Sequence, residues 1–582
     1  MAGRYLVIFH LGPVQDFIAT ARRCRDLWFG SWLLSELAKA AAREIVNQYG
    51  GDMSCLIFPA PNRQADLDSQ EFCAPNRVVA LVTGPPEDLG ERVREAVLRR
   101  LREVRDKAFQ KVKGQIYQDT ANRQVEEMLE FYWAACPMEG DFRTARAVAE
   151  SLLAARKTTR DFAPAPWAAE VPKCSLCGRR ESVIPEPVYD QKSEEELFRE
   201  YGIRRGERLC GVGFLKRHGE RAPGFFSTSH VAALPLLERL AEGDKSYVEE
   251  YIGVLKGLGL SPERLGKVPV EHPVFGCYDG HLLFEERLRE FFEDDATLEE
   301  AKIALQDFLE KAFGGDNPLP YYALLIADGD RMGKVINAQG APEEQRNLSQ
   351  KLSEFALTAA RIVRGHRGSL VYSGGDDVLA FVPLHRALDC ARELAATFRQ
   401  MLATFKVFEA GREISPTLSV GMVVAHHLAP MDEVLEIARE TEKHAKSVQG
   451  KDALAVTVSK RSGVDRTVAA PWGTLDRRLE RFVALHRLEA IPDRAAYELR
   501  DLALKLDFLA EAARKEAVRI LRRKEAERGV RPVATEVLSE LEGLLGEEGL
   551  SIAQLADELI VAREFAKAQD LAGMPIPGKD VT

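Results

Sequence analysis

Ser373-Gly374-Gly375-Asp376-Asp377 separates two short apolar runs, 369–372 and 378–382. Two glycines followed by two carboxylates between strand-like residues predict a tight β-hairpin with an acidic tip. Glycine permits the backbone conformations of such a turn and lets a bulky substrate come close to the main chain. Adjacent carboxylates repel one another at neutral pH unless a cation or a shared proton compensates them. Upstream, the continuous apolar run 321–327 ends at once in a second acidic element, Asp328-Gly329-Asp330. One acidic turn alone reads as a solvated loop. Two such elements brought together make a divalent-metal site, because magnesium takes oxygen ligands with few carboxylates and leaves positions for water and substrate phosphates. A pair of such ions activates an attacking hydroxyl and neutralises a leaving pyrophosphate, so the chemistry indicated is phosphate chemistry.

The intervening sequence supplies a frame that would bring them together. Residues 321–327 read as a strand buried on both faces. Leu348, Leu352, Phe355, Ala356, Ala359, Ile362 and Val363 follow the spacing of an amphipathic helix. The hairpin is followed by a helix over about 385–402, with Ala391, Leu394, Ala395, Phe398 and Leu402 on one face. A strand near 417–424, a helix over 431–446 and a strand at 453–458 complete the series. The order β-α-β-β-α-β is that of a ferredoxin-like sheet with helices on one face. In that topology the first strand and the hairpin are neighbours, so Asp328 is expected beside Asp376 and Asp377.

The N-terminal region reads as a second copy without the acids. Residues 6–10 form an apolar strand, and Ile18, Ala21, Leu27, Trp32, Leu33, Leu37 and Ala38 offer one face of a long helix. Strand-like segments follow at 55–58 and 78–82. His10 and Leu11 stand where the acidic turn would begin, and no Gly-Gly-Asp-Asp joins the later strands. Between the two copies, Cys174-Ser175-Leu176-Cys177 is half of a zinc site, since a short turn presents two thiolates to one tetrahedral ion. Cys210 lies further on, with Gly213 three residues after it. Two readings stay open: a structural zinc completed by His218 or water, or the same fold without metal.

At 582 residues the chain is too long for one core and implies several domains. Its 46% hydrophobic and 29% charged residues are those of a globular protein. No run of about 18 apolar residues occurs, so no membrane partner is expected. The nine cysteines, scattered apart from the one close pair, look like cytosolic thiols, which with the absence of a secretory signal gives a cytoplasmic expectation. A net charge of −10 excludes a wholly basic nucleic-acid surface. Local patches such as Arg99-Arg100-Leu101-Arg102 or 519–524 would have to serve, although such stretches are ordinarily solvated helix faces. After about Ala470 the chain is helix-rich, with Leu475, Leu479, Phe482, Val483, Leu485 and Leu488 in helical spacing.

The strand ending in Asp-Gly-Asp, the Gly-Gly-Asp-Asp hairpin and Leu418-Ser419-Val420-Gly421-Met422 resemble the nucleotide-cyclase and polymerase palm. More closely, the chain resembles the large subunit of type III CRISPR effector complexes, in the Cmr (type III-B) branch. Carrying this are Leu11-Gly12-Pro13-Val14-Gln15-Asp16-Phe17-Ile18, Ala21-Arg22 and Asp26-Leu27-Trp28-Phe29-Gly30-Ser31, which look like the opening of the first palm. Pro75-Asn76-Arg77, Tyr132-Trp133-Ala134-Ala135, Gly450-Lys451 and Lys460-Arg461-Ser462-Gly463 match further. The resemblance spans about the first 465 residues.

It implies an α+β multidomain protein. Residues 1–155 would form a degenerate palm, 156–312 a mainly helical domain with the cysteine element, 313–465 the active palm and 466–582 a helical bundle. Both palms would be ferredoxin-like. The implied activity is ATP-dependent synthesis of cyclic oligoadenylate when the assembled complex pairs its guide CRISPR RNA with target RNA. Asp328, Asp376 and Asp377, helped by the Gly329 carbonyl, would hold two Mg2+ or Mn2+ ions. Ser373, Gly374 and Gly375 would line the nucleotide cleft, and Lys446 and Lys451 are the candidate triphosphate contacts. The family usually has a second C-x-x-C where Cys210 and Gly213 stand, so Cys174, Cys177 and Cys210 are three candidate zinc ligands of four. Partners would be the other Cmr-type subunits, guide RNA, target RNA and ATP. None of the eleven histidines is followed by aspartate, so no HD-type nuclease is expected in this polypeptide. Two other functions share parts of this pattern. One is a scaffold with an inactive palm; the other is a diguanylate-cyclase-like enzyme, against which Val378 stands where that family has phenylalanine.

Overall fold

The computed structural model describes residues 3–159, 171–220, 226–262, 264–266, 268, 270–292, 294–409, 411–461, 463–506, 510–523, 534–545 and 549–576. Ser462 and Lys524, named above, lie outside the described residues.

Two sheets organise the chain. The first contains β1 (Arg4–Gly12), β2 (Leu56–Phe58), β3 (Arg77–Thr83) and β4 (Glu130–Pro137), in the order β2-β3-β1-β4. The second contains β5 (Tyr321–Gly329), β6 (Ser369–Gly374) and β7 (Asp377–Val382). A small separate hairpin of β8 (Val407–Glu409) and β9 (Arg412–Ile414) precedes its remaining strands, β10 (Leu418–His426), β11 (Ala453–Ser459) and β12 (Arg466–Pro471). Its order is β12-β11-β10-β5-β7-β6. The first four strands of each sheet in chain order, β1 to β4 and β5, β6, β7 and β10, therefore lie in the same spatial arrangement, with the first strand interior. In the second sheet β5 pairs antiparallel with both β7 and β10.

The helices form where the apolar spacing places them. The run from Leu348 to Val363 lies within the helix Pro342–Gly365, and the next lies in Leu384–Met401 with Leu402 as its C-cap. Two expectations need correction. The single long helix after the first strand is broken into Gln15–Ala19 and Cys24–Gln48, with Arg23 extended between them. The second sheet is also covered on both faces rather than one. Ala323, Leu325 and Ala327 of β5 pack into a core with Phe355 and Phe398, whereas Tyr322 and Leu324 pack with Leu305, Phe308 and Ala438. The uninterrupted apolar sequence of β5 is the signature of this double burial.

The C-terminal helices share the first of those cores. Leu475, Leu479 and Phe482 join Leu555, Leu559 and Phe565 in one cluster with the sheet residues. Arg478 adds a two-pronged pair to buried Glu558, at 2.7 and 2.6 Å. The tail thus packs on its own chain's core.

Candidate active site

The metal-binding residues expected from sequence meet at one edge of the second sheet. β5 runs out at Gly329, and the hairpin closes with Gly374 paired to Asp377, leaving Gly375 and Asp376 as its two-residue tip. Gly375 has φ +70°, a conformation that favours glycine. Gly329 is needed for another reason: a Cβ there would lie 2.7 Å from Asp376 Cβ, so only glycine lets the two elements abut. Asp328, Asp376 and Asp377 then present carboxylate oxygens that all lie within 4.8 Å of one another.

The electrostatics are those of an uncompensated acidic site. Crowding by the protein, followed by the Asp328 charge, pushes Asp376 up to about 7. Asp377 is raised well above the usual carboxylate range by the same crowding and by Asp376 and Asp328. Its side chain is exposed in the structure, so we assign more of its shift to the neighbouring acids than to loss of water. One cation answers them: Lys446, in the last turn of the helix Met431–Ser447, bonds Asp328 Oδ2 and lies 3.3 Å from Glu442. Burial opposes its charge, but the Asp328 and Glu442 contacts hold it above the usual lysine range. Lys451 lies in the following turn at φ +58° and, among the described residues, forms no ion pair with the triad. Ser373 is buried, and among the described residues its Oγ has no hydrogen-bond partner.

The sequence reading passed over several neighbours. Cys73, in the segment before β3, lies near enough to the Ser373 main chain to feel it electrostatically, bringing the first region to the hairpin. Ala60 N–H donates to Ser349 Oγ at 3.0 Å, and Arg346 reaches the Met53 carbonyl at 3.1 Å. Arg331, directly after Asp330, has φ +64° and pairs with Glu409 of β8. No local pattern marks these residues; they are contacts between distant segments. At the equivalent end of β1 the charges are mixed, with Glu130 of β4 opposite Gly12. His10 Nε2 lies 3.1 Å from Lys157 Nζ, and burial, Lys157 and Arg77 lower its pKa to about 4.

The cysteines also converge. Cys174, Cys177 and Cys210 have sulfur atoms within 4.8 Å of one another, with Cys177 and Cys210 3.9 Å apart. Thiolates at about 2.3 Å from a tetrahedral zinc stand about 3.8 Å apart, so the trio fits three corners of such a site. No fourth His, Cys, Asp or Glu joins them among the described residues. His218 points its Nε2 to the Tyr201 carbonyl at 2.8 Å and stacks on Phe214. Gly213 N–H donates to Cys210 Sγ at 3.4 Å. The trio borders a cavity of about 1740 Å³.

Several arginines of the basic patches are engaged within the chain. Arg100 pairs with Glu36 at 2.8 Å, Arg102 meets Glu126 through two 3.0 Å bonds, and Arg522 pairs with Glu542.

Comparison with known proteins places these features. The model of the second palm domain of Cas10/Cmr2 matches residues 321–455, and that of the N-terminal region of CRISPR-associated protein Cmr2 matches residues 6–109. The Cmr2 subunit of the Pyrococcus furiosus Cmr system is 26% identical over 558 aligned residues, 78% of this chain and 61% of that protein. Over these segments the chain is similar to the Cas10/Cmr2 family. The Cmr2 subunit of Saccharolobus solfataricus matches over 83 residues at 28% identity, covering 14% of this chain and 7% of that protein. The chain spans about three fifths of the length of its Pyrococcus Cmr2 relative. Among solved structures, a chain of the type III-B Cmr-β complex bound to cognate target RNA aligns with TM-score 0.63 and 13% identity, covering 97% of this chain and 83% of that one. The apo Cmr-β structure aligns at 0.62, also at 13% identity, covering 97% and 82%. A chain of the Csm1–Csm4 cassette in complex with pppApApA aligns at 0.50 and 13% identity, covering 96% and 69%. At these identities the structures speak for a shared fold.

Proposed function

We propose that this chain is the nucleotidyltransferase subunit of an RNA-guided type III-B effector complex and makes cyclic oligoadenylate from ATP when target RNA binds. The observation that carries the reading is the convergence of Asp328, Asp376 and Asp377 within the segment that matches the Cas10/Cmr2 second palm. The pppApApA bound in the Csm1–Csm4 structure supports oligoadenylate as the product class. On this reading both sheets are ferredoxin-like palms, at 1–155 and 313–465, joined by the helical region 156–312 and followed by the helical domain 466–582. The partners are the other Cmr-type subunits, guide RNA and target RNA, in the cytoplasm.

Asp328, Asp376 and Asp377, with the Gly329 carbonyl, are the groups that would hold Mg2+ or Mn2+. When bound, such ions supply positive charge to the attacking 3′-hydroxyl, the α-phosphate and the leaving pyrophosphate. A cation there would offset the mutual repulsion of the three carboxylates and favour their deprotonated forms. Lys446, bonded to Asp328, is the cation placed to meet the triphosphate. The hairpin main chain at Gly374 and Gly375 admits the nucleotide closely, and the unpartnered Ser373 hydroxyl offers it a hydrogen bond. Lys451 completes the cationic rim. The first palm has His10 and Leu11 where the second has its acidic turn, and closes the cleft as a structural partner. Cys174, Cys177 and Cys210 would hold a zinc that stabilises local folding rather than chemistry.

The test is mass spectrometry of ATP incubated with the reconstituted complex, Mg2+ and cognate RNA. Cyclic oligoadenylate that appears only with cognate RNA is the expected result. A complex that assembles and binds target RNA yet makes none would leave the chain a scaffold.

A further inference from the structure

Asp330 shares its motif with Asp328 but faces the other way. It is fully buried, at 0% exposure, and takes no part in the carboxylate cluster. Its carboxylate accepts from Thr417 Oγ1 at 2.8 Å, from Ser419 Oγ at 2.9 Å and from the Asp452 backbone N–H at 3.0 Å. Its own N–H donates to the Thr417 carbonyl at 2.7 Å. A buried carboxylate is tolerated only when such donors replace its water. Here the donors come from two separate segments, the start of β10 and the turn before β11.

Both segments bear on the site. Ser419 is the cross-strand partner of Asp328, so the residue opposite a metal-binding carboxylate is pinned by Asp330. The turn before β11 contains Lys451 and Asp452 at φ +58° and +50°, and Arg331, next to Asp330, sits at +64°. Left-handed conformations at non-glycine residues persist only where surrounding bonds determine them. Those bonds are present: Arg331 reaches the Gly450 carbonyl at 3.0 Å, and the Asp452 carboxylate meets Arg399 at 2.6 Å. Trp472 N–H donates to the Asp452 carbonyl at 2.9 Å, while its indole Nε1–H donates to the Leu418 carbonyl at 3.0 Å. Asp330 is the group that joins the end of β5 to both sides of this lattice.

We propose that Asp330 is a positioning residue of the metal site, a buried clamp that fixes Asp328 against β10 and holds the Lys451 turn in place. This rests on the reading of Asp328, Asp376 and Asp377 as the metal site of nucleotidyl transfer. Asp330→Asn puts an amide N–H₂ where three donors converge, and the clamp loosens. In the reconstituted complex it is expected to lower kcat about tenfold or more, as small misplacements do. The Mn2+ concentration at half-saturation should rise several-fold, both in turnover and in Mn2+ binding followed by electron paramagnetic resonance without ATP. Thr417→Val and Ser419→Ala each remove one donor and should shift both quantities in the same direction, while Thr417→Ser restores them. If Asp330→Asn does not fold, those milder variants decide. A lower melting temperature with unchanged kcat and unchanged Mn2+ affinity, in Asp330→Asn or in both milder variants, overturns the proposal. Absence of oligoadenylate synthesis in the unmutated complex would instead defeat the catalytic reading, and the Mn2+ binding shift would still judge the clamp.

Discussion

The two sheets share a strand order and differ in what their central strands deliver. β5 ends in Asp328 and Gly329, beside a hairpin tip two residues long, and gathers three carboxylates. β1 ends in His10, Leu11 and Gly12, beside strands β2 and β3 joined by a long connection. Leu11 is buried in the core, and His10 lies against Lys157. One architecture therefore gathers three carboxylates at one strand end and, at the other, His10 with Lys157 and the single carboxylate of Glu130 opposite Gly12. Strand order sets where a site can be; the residues at the strand ends set whether it binds a cation.

The largest test of that contrast removes the acids from the hairpin. Asp376→Ala with Asp377→Ala is expected to reduce oligoadenylate synthesis by at least about 100-fold, the scale of losing a main electrostatic element of an active site. Complex assembly and target-RNA cutting, assayed in parallel, should be unchanged, because the tip contributes little to the core. Retained synthesis would remove the mechanism.

Asp328→Asn and His10→Ala compare the two strand ends directly. The first keeps the size of the side chain and loses its charge, so synthesis should fall severely and recover in part with more metal or with Mn2+. The second should change nucleotide binding modestly at most. A silent Asp328→Asn beside a dead His10→Ala would move catalysis to the other sheet.

A smaller effect separates the sheets through pH. In metal-free protein Asp376 holds its proton up to about 7, whereas an unfolded aspartate releases it near 3.8. Between those values the folded state binds more protons, so stability declines as pH rises from 3.8 to about 7. Added Mg2+ or Mn2+ should therefore raise the melting temperature more at pH 8 than at pH 5.5, as thermal scans would show. Asp376→Asn should flatten that difference, and His10→Ala should leave it intact.

The least expected effect concerns the cysteines that lie away from both strand ends. Zinc measured by atomic emission after dialysis should drop in Cys210→Ser, with local destabilisation and unaltered nucleotide chemistry. Gly213→Cys should retain zinc more firmly. A Cβ at that position meets Leu209 at 3.3 Å and Leu176 at 3.7 Å, a tight but adjustable fit. Equal zinc content in all three proteins would argue against a site on these thiols.

Much of the frame was legible in local sequence. The apolar run of β5, the 3–4 spacing of Pro342–Gly365 and the glycine pair of the hairpin each stated their conformation, because hydrophobic period and turn chemistry are local properties. The break after Ala19 was not legible, since the apolar positions on both sides keep helical spacing across it. The second helical layer was missed because a strand shows that both faces are buried without showing what buries them.

The sequence by itself determined which residues carry charge, thiol and glycine, and that the first copy lacks the acids. Only the tertiary structure decided which of them meet. Asp328 and Asp330, two residues apart in one motif, part company: one joins the hairpin acids, while the other turns inward to Thr417, Ser419 and Asp452. Lys446 rather than Lys451 reaches the triad. His218 stays with Tyr201 while three cysteines converge without it. Electrostatic and hydrogen-bond partners act through a few ångströms of space, and chain positions far apart in sequence come within that range only when the sheet and its helices pack.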